Sequence, residues 1–171
     1  MDSGGGKNVS YPRLNQKKTH CKKLQLATWN VRTLLDSNNE DTTTTPRRTA
    51  IVASELKRYK VDIVALQETH MSDFGRLDER GSGYSYFWSG SIESSNQHGV
   101  AICVRTELIR KGIISEPTCI NERQMYIDII QRDTKTRFIC VYAPTEVAND
   151  TTKDLFYEQL GHIVRNTPKS Y

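Results

Sequence analysis

The sequence contains no long apolar stretch: no run of 18 or more apolar residues occurs among its 171 residues. A helix needs roughly that length of apolar sequence to cross a bilayer, so we expect no membrane partner. The first 23 residues also lack the apolar centre of a secretory signal. We therefore expect an intracellular protein, with the nucleus as one alternative, whose four cysteines are thiols.

Metal-binding patterns of cysteine and histidine are also missing. The four cysteines form no C-x-x-C pair, and none of the four histidines has another histidine four residues away. A zinc site of the usual spacing is therefore not expected. Cys103 and Cys140 lie inside apolar runs, where a thiol behaves as a small hydrophobic side chain, so we expect both in the core.

Positive charge is concentrated at the start of the chain. The formal net charge is +4, but residues 1–23 alone carry +5 and residues 24–171 carry −1. We interpret 1–23 as a basic disordered tail, with phosphate contact as the alternative. Residues 24–171 have the apolar content of one folded domain.

The order of predicted elements is strand, helix, several strands and helix, which indicates a mixed α/β fold. Thr45 followed by Pro46 predicts a helix start, because a hydroxyl caps the helix and proline fits its first turn. Gly- and charge-rich sequence between Glu68 and residue 84 predicts a loop. The predicted strands are 24–31, 61–67, 84–90, 99–104, 125–130 and 137–145, and the predicted helices are 46–60 and 154–165.

Polar residues stand at the ends of three predicted strands: Asn30, Glu68 and Tyr142. Taken singly, Asn30 is interpreted as a turn former, Glu68 as a helix cap or solvated carboxylate, and Tyr142 as a packing residue. Strand ends form the rim of an α/β layer, however, so an amide, a carboxylate and a phenol from separate strands can converge on one pocket.

Five segments of the chain form a recognisable series: TWNVRTL (28–34), VDIVALQETH (61–70), YSYFWSG (84–90), HGVAICV (98–104) and VYAPTE (141–146). In this order they resemble the first half of the endonuclease/exonuclease/phosphatase superfamily. Their forms are most similar to the endonuclease domains of non-LTR retrotransposons and to craniofacial development protein-like sequences. The resemblance covers residues 24–171.

The resemblance implies the first half of a deoxyribonuclease I-like four-layer α/β sandwich, truncated, and a magnesium-dependent phosphodiesterase that acts on nucleic acid, with DNA as the expected partner. It places Glu68 as a Mg²⁺ ligand, since magnesium prefers carboxylate oxygen. Asn30 is then a second residue of the metal site, which helps to hold the metal and the phosphate, and Tyr142 approaches the scissile phosphate. These groups stabilise charge rather than transfer protons.

Departures from the family pattern limit the expected activity. Arg32 stands where abasic-site endonucleases carry an aspartate, so that activity is disfavoured. Neither the GDFN-type motif, which supplies the general base, nor the SDH-type motif, which supplies a histidine, occurs in these residues. We therefore expect the chain to be inactive alone.

Two other functions remain open: a non-enzymatic binding module derived from a retrotransposon endonuclease, and a phosphoinositide or nucleotide phosphatase-like fragment. In a half sandwich, the uncovered inner sheet face or a free strand edge would favour self-association. Among further residues, Arg123 is interpreted as a solvated or salt-bridged edge residue, with phosphate contact as the alternative. His98 is interpreted as a turn or strand-start residue, and Trp29 and Trp88 as core residues.

Overall fold

A computed structural model of the protein describes residues 23–36, 46–92, 98–131 and 134–167. Most of the predicted tail at 1–23 therefore lies outside the described residues. Within these ranges the chain forms eight strands and three helices. The strands are β1 (Leu26–Asn30), β2 (Ile63–Gln67), β3 (Phe74–Glu79), β4 (Tyr84–Ser89), β5 (Val100–Arg105), β6 (Thr118–Asn121), β7 (Gln124–Gln131) and β8 (Thr134–Val141), and the helices are α1 (Arg48–Arg58), α2 (Thr106–Arg110) and α3 (Asp150–Arg165).

The strands form two sheets. The first has the order β1-β2-β5-β4-β3, and the second has the order β6-β7-β8. The pair β1 and β2 is parallel, with Leu26 opposite Ile63 and Asn30 opposite Gln67, whereas the other described strand pairs are antiparallel. The parallel pair matters for function because it ends two strands at the same edge of the sheet.

Two apolar layers hold the elements together. Between the sheets, the inner faces of β2 and β5 pack against β7 and β8, with Ile102, Ile127 and Cys140 fully buried. On the outer face of the larger sheet, Val52 and Leu56 of α1 lie in a second cluster, which also contains Cys103. Both cysteines expected in the core are buried thiols.

Helix α3 covers the outer face of the smaller sheet. Phe156 and Ile163 of this helix are buried, and the buried side chain of Gln124 donates from Nε2 to the carbonyl oxygen of Phe156 at 2.9 Å. The layers are therefore α1, the five-stranded sheet, the three-stranded sheet and α3. The predicted four-layer α/β sandwich is confirmed.

The expectation of a wholly uncovered inner sheet face needs correction, because the chain supplies the smaller sheet itself. The smaller sheet does not extend fully over β1. An open groove of about 490 Å³ remains there and is lined in part by Leu26, Ala65 and Phe138. Leu26 is 51% exposed and Trp29 is 42% exposed. The core placement of Trp29 was wrong, since β1 is an edge strand and α1 does not cover its outer side. Trp88 is partly buried against the outer cluster, as expected.

Three elements were not predicted: β3, β6 and α2. Strand β3 lies where a loop was expected, because the charged residues Arg76, Asp78 and Glu79 mask the alternation of an edge strand. Strand β6 and helix α2 are only four and five residues long. Elements of this length leave little periodicity in a sequence.

Both long helices also begin at positions other than those predicted. Helix α1 begins at Arg48, and its first amide donates to Asp36 Oδ1 at 2.8 Å, so a carboxylate distant in sequence binds the start of the helix. Thr45 lies outside the described residues. Helix α3 begins at Asp150, four residues earlier than expected, and Asn149 caps it by accepting from the Thr152 amide at 2.8 Å. Among the described helices, none is long and apolar enough to cross a membrane.

A nearly buried ion pair connects β7 and β8. Arg137 donates to both oxygens of Asp128, at 2.8 and 3.2 Å, and Lys135 lies 3.0 Å from the same carboxylate. The guanidinium also stacks on Tyr126 at 4.0 Å and reaches the Ile163 carbonyl near the end of α3. The Arg137 hydrogen bonds hold the pKa of Asp128 below its usual range.

Asp128→Asn should lower the free energy of unfolding by about 3 kcal/mol at neutral pH, because it leaves the Arg137 charge without its partner in a nearly dry site. Urea denaturation of the native chain and the variant measures this loss. A carboxylate with a lowered pKa stabilises the fold above the ordinary value of about 3.9, and loses that effect as the pH falls through its folded-state pKa. The difference between the two proteins should therefore shrink in acid.

The matched control is Asp78→Asn on β3. Asp78 pairs with Arg76 at 3.1 Å, but both side chains are 44% exposed. Solvent screens such a pair, so we expect a loss below about 1 kcal/mol. Equal losses at Asp78 and Asp128 would contradict the role of burial.

Candidate active site

Three strand ends meet at one edge of the sandwich. Asn30 is the last residue of β1, Glu68 follows the last residue of β2, and Tyr142 follows the last residue of β8. The parallel register of β1 and β2 brings Asn30 beside Glu68. Packing of β8 under β2 then brings Tyr142 to the same place from the other sheet.

Hydrogen bonds join the three side chains at a single oxygen. Asn30 Nδ2 donates to Glu68 Oε1 at 2.6 Å, and the Tyr142 hydroxyl donates to the same oxygen at 3.0 Å. The amide, the carboxylate and the phenol from three strand ends thus converge on one place, as their positions predict. The chemical roles assigned to these residues stay predictions.

The amide of Asn30 has a defined orientation. Its Oδ1 accepts a hydrogen bond from the backbone amide of Arg32 at 3.1 Å, while its Nδ2 faces Glu68. In this orientation the Asn30 amide nitrogen holds the carboxylate, and the Arg32 amide uses one of the two lone pairs of Asn30 Oδ1. Ligation of a metal by Asn30 would use the second lone pair and stays a prediction.

The electrostatics keep Glu68 ionised and Tyr142 protonated. The hydrogen bond from Asn30, assisted by the one from Tyr142, lowers the pKa of Glu68 below its ordinary value. Partial burial, and then the hydrogen bond to Glu68, raise the pKa of Tyr142. At neutral pH the pair is therefore a carboxylate that accepts and a phenol that donates.

The backbone around the carboxylate is strained. Arg32, Glu68 and His70 have φ values of +63°, +55° and +58°, in the left-handed region that residues other than glycine seldom adopt. Tertiary hydrogen bonds hold the segment after β2 in place: the Thr69 amide donates to the Gly99 carbonyl at 3.1 Å, and the His70 amide donates to the carbonyl of residue 98 at 2.8 Å. Such strain is typical of functional sites.

The sequence did not indicate that Arg123 and His98 lie beside Tyr142. Arg123 Nη1 donates to the Tyr142 carbonyl at 3.2 Å, its Nη2 lies 2.8 Å from His98 Nε2, and its guanidinium carbon lies 5.3 Å from the centre of the Tyr142 ring. Arg123 is half-buried rather than a solvated edge residue. The register of β7 with β8, in which Gln124 faces Val141, places it there, and that register is not visible in the sequence.

The hydrogen bonds around Glu68 leave one of its two carboxylate oxygens available to bind a metal ion. Both hydrogen bonds to Glu68 reach Oε1, and Oε2 has no donor among the described residues. Within the same part of the chain, no group of three or more His, Cys, Asp or Glu side chains is arranged to hold a metal ion. Glu68 therefore fits a hydrated divalent cation as a single ligand, with water supplying the other positions.

The chain matches a known protein family over most of its length. A model of the endonuclease/exonuclease/phosphatase family matches residues 27–170. The chain belongs to this family. The match includes all three residues of the site, and the family is generally metal-dependent, although no particular ion follows from membership.

Curated relatives include craniofacial development protein 2 of Bos taurus, which is 28% identical over 157 residues. The same protein of Tragulus javanicus is 27% identical over 157 residues. Each alignment covers 91% of this chain, but only 24% and 25% of the respective relative. The chain therefore spans about a quarter of the length of the curated relatives it matches.

Solved structures share the fold at low identity. TDP2 of D. rerio, solved with a single-strand DNA product, has a TM-score of 0.51 at 15% identity, and the match covers 86% of this chain and 56% of that one. The endonuclease domain of TRAS1, a telomere-specific non-LTR retrotransposon, has a TM-score of 0.52 at 14% identity, with 86% and 57% covered. These similarities establish the deoxyribonuclease I-like fold.

Gly99 supports the strained segment that carries Glu68. Its φ is +106°, and a Cβ there would lie 2.5 Å from Thr69 Oγ1 and 3.2 Å from the His70 amide nitrogen. Gly99→Ala should therefore lower the free energy of unfolding by about 2–3 kcal/mol, through backbone strain and displacement of the neighbouring segment. Chemical denaturation measures the loss.

Gly83→Ala is the matched control, because Gly83 also has a positive φ, +78°, but open space around its Cβ position. Gly83→Ala should lower the free energy of unfolding by about 1 kcal/mol, because its only cost is a Cβ atom on a residue with positive φ. If the Gly99 variant is no less stable than the Gly83 variant, close packing does not hold the segment.

Proposed function

We propose that this chain is a magnesium-binding domain that recognises the phosphodiester groups of nucleic acid. The observation that carries the proposal is the convergence of Asn30 and Tyr142 on one oxygen of Glu68. This arrangement leaves an oriented, ionised carboxylate oxygen at an open strand end. Family membership and the fold support a phosphodiester as the substrate class.

Glu68 is the proposed ligand, through Oε2. A divalent cation held there would stabilise negative charge on a phosphate and lower the pKa of its bound water. Asn30 and Tyr142 fix the carboxylate by occupying Oε1, so that little reorganisation is needed when the ligand binds. Arg123 in turn fixes Tyr142 through its carbonyl group.

Turnover by this chain alone is not part of the proposal. The GDFN- and SDH-type motifs are absent from the sequence. The described residues also contain no group of three or more His, Cys, Asp or Glu side chains that could hold a metal ion. Loss of a positioned general base alone typically costs about 10²–10⁴-fold in rate. Binding without hydrolysis, the second candidate function, is favoured by this half-built site.

DNA is the proposed nucleic acid, and the nucleus is a proposed location. The first two solved structures support the choice, since one was solved with a single-strand DNA product and the other is the endonuclease domain of a telomere-specific retrotransposon. A phosphoinositide or nucleotide headgroup offers the same phosphate chemistry. Competition between a DNA duplex and soluble inositol phosphate for the chain separates these sources. We also propose self-association through an exposed sheet edge.

Magnesium binding tests the role of Glu68 directly. Titration with Mg²⁺, followed by nuclear magnetic resonance of the backbone amides, should shift the signals around residues 30, 68 and 142 with weak affinity. Glu68→Gln should abolish these shifts, because a neutral amide is a poor magnesium ligand. Glu158→Gln, an exposed carboxylate on α3, is the control and should leave them unchanged. Shifts that persist in Glu68→Gln would place the cation elsewhere.

Nicking of supercoiled plasmid in magnesium tests the expected lack of turnover. The native chain should show no nicking above the level of Glu68→Gln, since the proton acceptor for water is missing. Nicking by the native chain that disappears in Glu68→Gln would show that the present residues suffice for catalysis.

A further inference from the structure

The two edges of the five-stranded sheet are protected very differently. The edge strand β3 exposes the charged side chains of Arg76 and Asp78, and charges of this kind prevent an edge from pairing with another chain. The opposite edge strand, β1, has the sequence Leu-Ala-Thr-Trp-Asn and carries no charge. It also exposes large apolar side chains on both faces, Leu26 on the inner and Trp29 on the outer side. An edge of this kind pairs readily with another strand.

The backbone of β1 offers hydrogen bonds on its free side. The Gln25 carbonyl accepts from the Asp62 and Ile63 amides, and the Val31 amide donates to the Gln67 carbonyl, so alternate residues from Gln25 onwards face β2. The amides and carbonyls of Leu26, Thr28 and Asn30 therefore point away from the sheet. None of these backbone groups has a partner outside the sheet among the described residues.

A groove lies beside β1 on the outer face of the sheet. Its volume is about 480 Å³, and it is lined by Ala27, Leu56, Val64 and the rings of Trp29 and Tyr59, among others. The groove exists because Ala27 is small and α1 does not reach over β1. It is large enough for one aromatic side chain from another molecule.

The sequence of β1 complements itself about Thr28. If two copies pair antiparallel with Thr28 opposite Thr28, Leu26 faces Asn30, and Ala27 faces Trp29. The largest side chain of the strand is thus set against the smallest, next to the groove. A twofold axis repeats the contact, as isologous interfaces require.

We infer that β1 is the contact surface for a second copy of this chain, which pairs antiparallel about Thr28 and places its Trp29 over Ala27 in the outer groove. The pairing adds roughly six backbone hydrogen bonds and buries two indole rings. The small contact predicts a reversible dimer with a dissociation constant of about micromolar order. The inference does not rest on the proposed metal chemistry, although Asn30, whose side chain belongs to the proposed site, contributes its backbone to the contact.

Sedimentation equilibrium over a wide concentration range tests the inference with three variants. Thr28→Pro removes an amide on the free side and keeps the backbone hydrogen bonds to β2, although it also removes the Thr28 hydroxyl that bonds the Gln67 side chain. Trp29→Ala empties the groove contact. Both should sediment as monomers at concentrations where the native chain is dimeric. Phe74→Ala is the matched control: Phe74 is 73% exposed on the opposite edge strand, and its loss should leave the dimer unchanged.

Tryptophan fluorescence provides an independent measurement, since the chain has only two tryptophans. Concentrating the native chain should shift emission to shorter wavelength as Trp29 becomes buried, and Thr28→Pro should show no shift. Unchanged thermal melting of the variants establishes that they fold. A native chain that is monomeric at high concentration, or a dimer that survives Thr28→Pro or is broken by Phe74→Ala, would overturn the inference.

Discussion

The parallel pairing of β1 with β2 is the constraint on which the site depends. In this register Asn30 lies opposite Gln67, so the next residue along β2, Glu68, meets the Asn30 amide. Burial of β2 on both faces fixes its position, because a one-residue slip would turn its side chains to the wrong layer. The smaller sheet then brings Tyr142 to the same carboxylate. One strand pair and one sheet contact thus assemble an amide, a carboxylate and a phenol from distant parts of the chain.

Much of the fold was predictable, because the buried strands and the two long helices leave strong apolar patterns. The convergence of Asn30, Glu68 and Tyr142 was also predictable, from their strand-end positions and from the family resemblance. The edge strand β3 was missed because its charges mask the alternation. Arg123 was misjudged for a different reason: its contact with Tyr142 depends on strand register, which a single sequence does not contain.

The two edge strands of the larger sheet differ in how well they are protected from contact with other molecules. The edge strand β3 presents charged side chains to solvent, whereas β1 leaves backbone groups and apolar grooves uncovered. The site lies at the end of this unprotected strand. Structures of the same fold are longer, since this chain matches 56% and 57% of the first two of them. The uncovered edge strand β1 and the site with its single carboxylate thus lie next to each other.

The central claim is that Asn30 and Tyr142 hold Glu68 ready to bind a divalent cation. A crystal structure of the chain soaked in manganese, a magnesium substitute located by its anomalous scattering, tests it most directly. The account predicts an ion on Oε2 of Glu68, with Asn30 and Tyr142 still bonded to Oε1. An ion bound away from Glu68, or no ion at the carboxylate under saturating manganese, would contradict it.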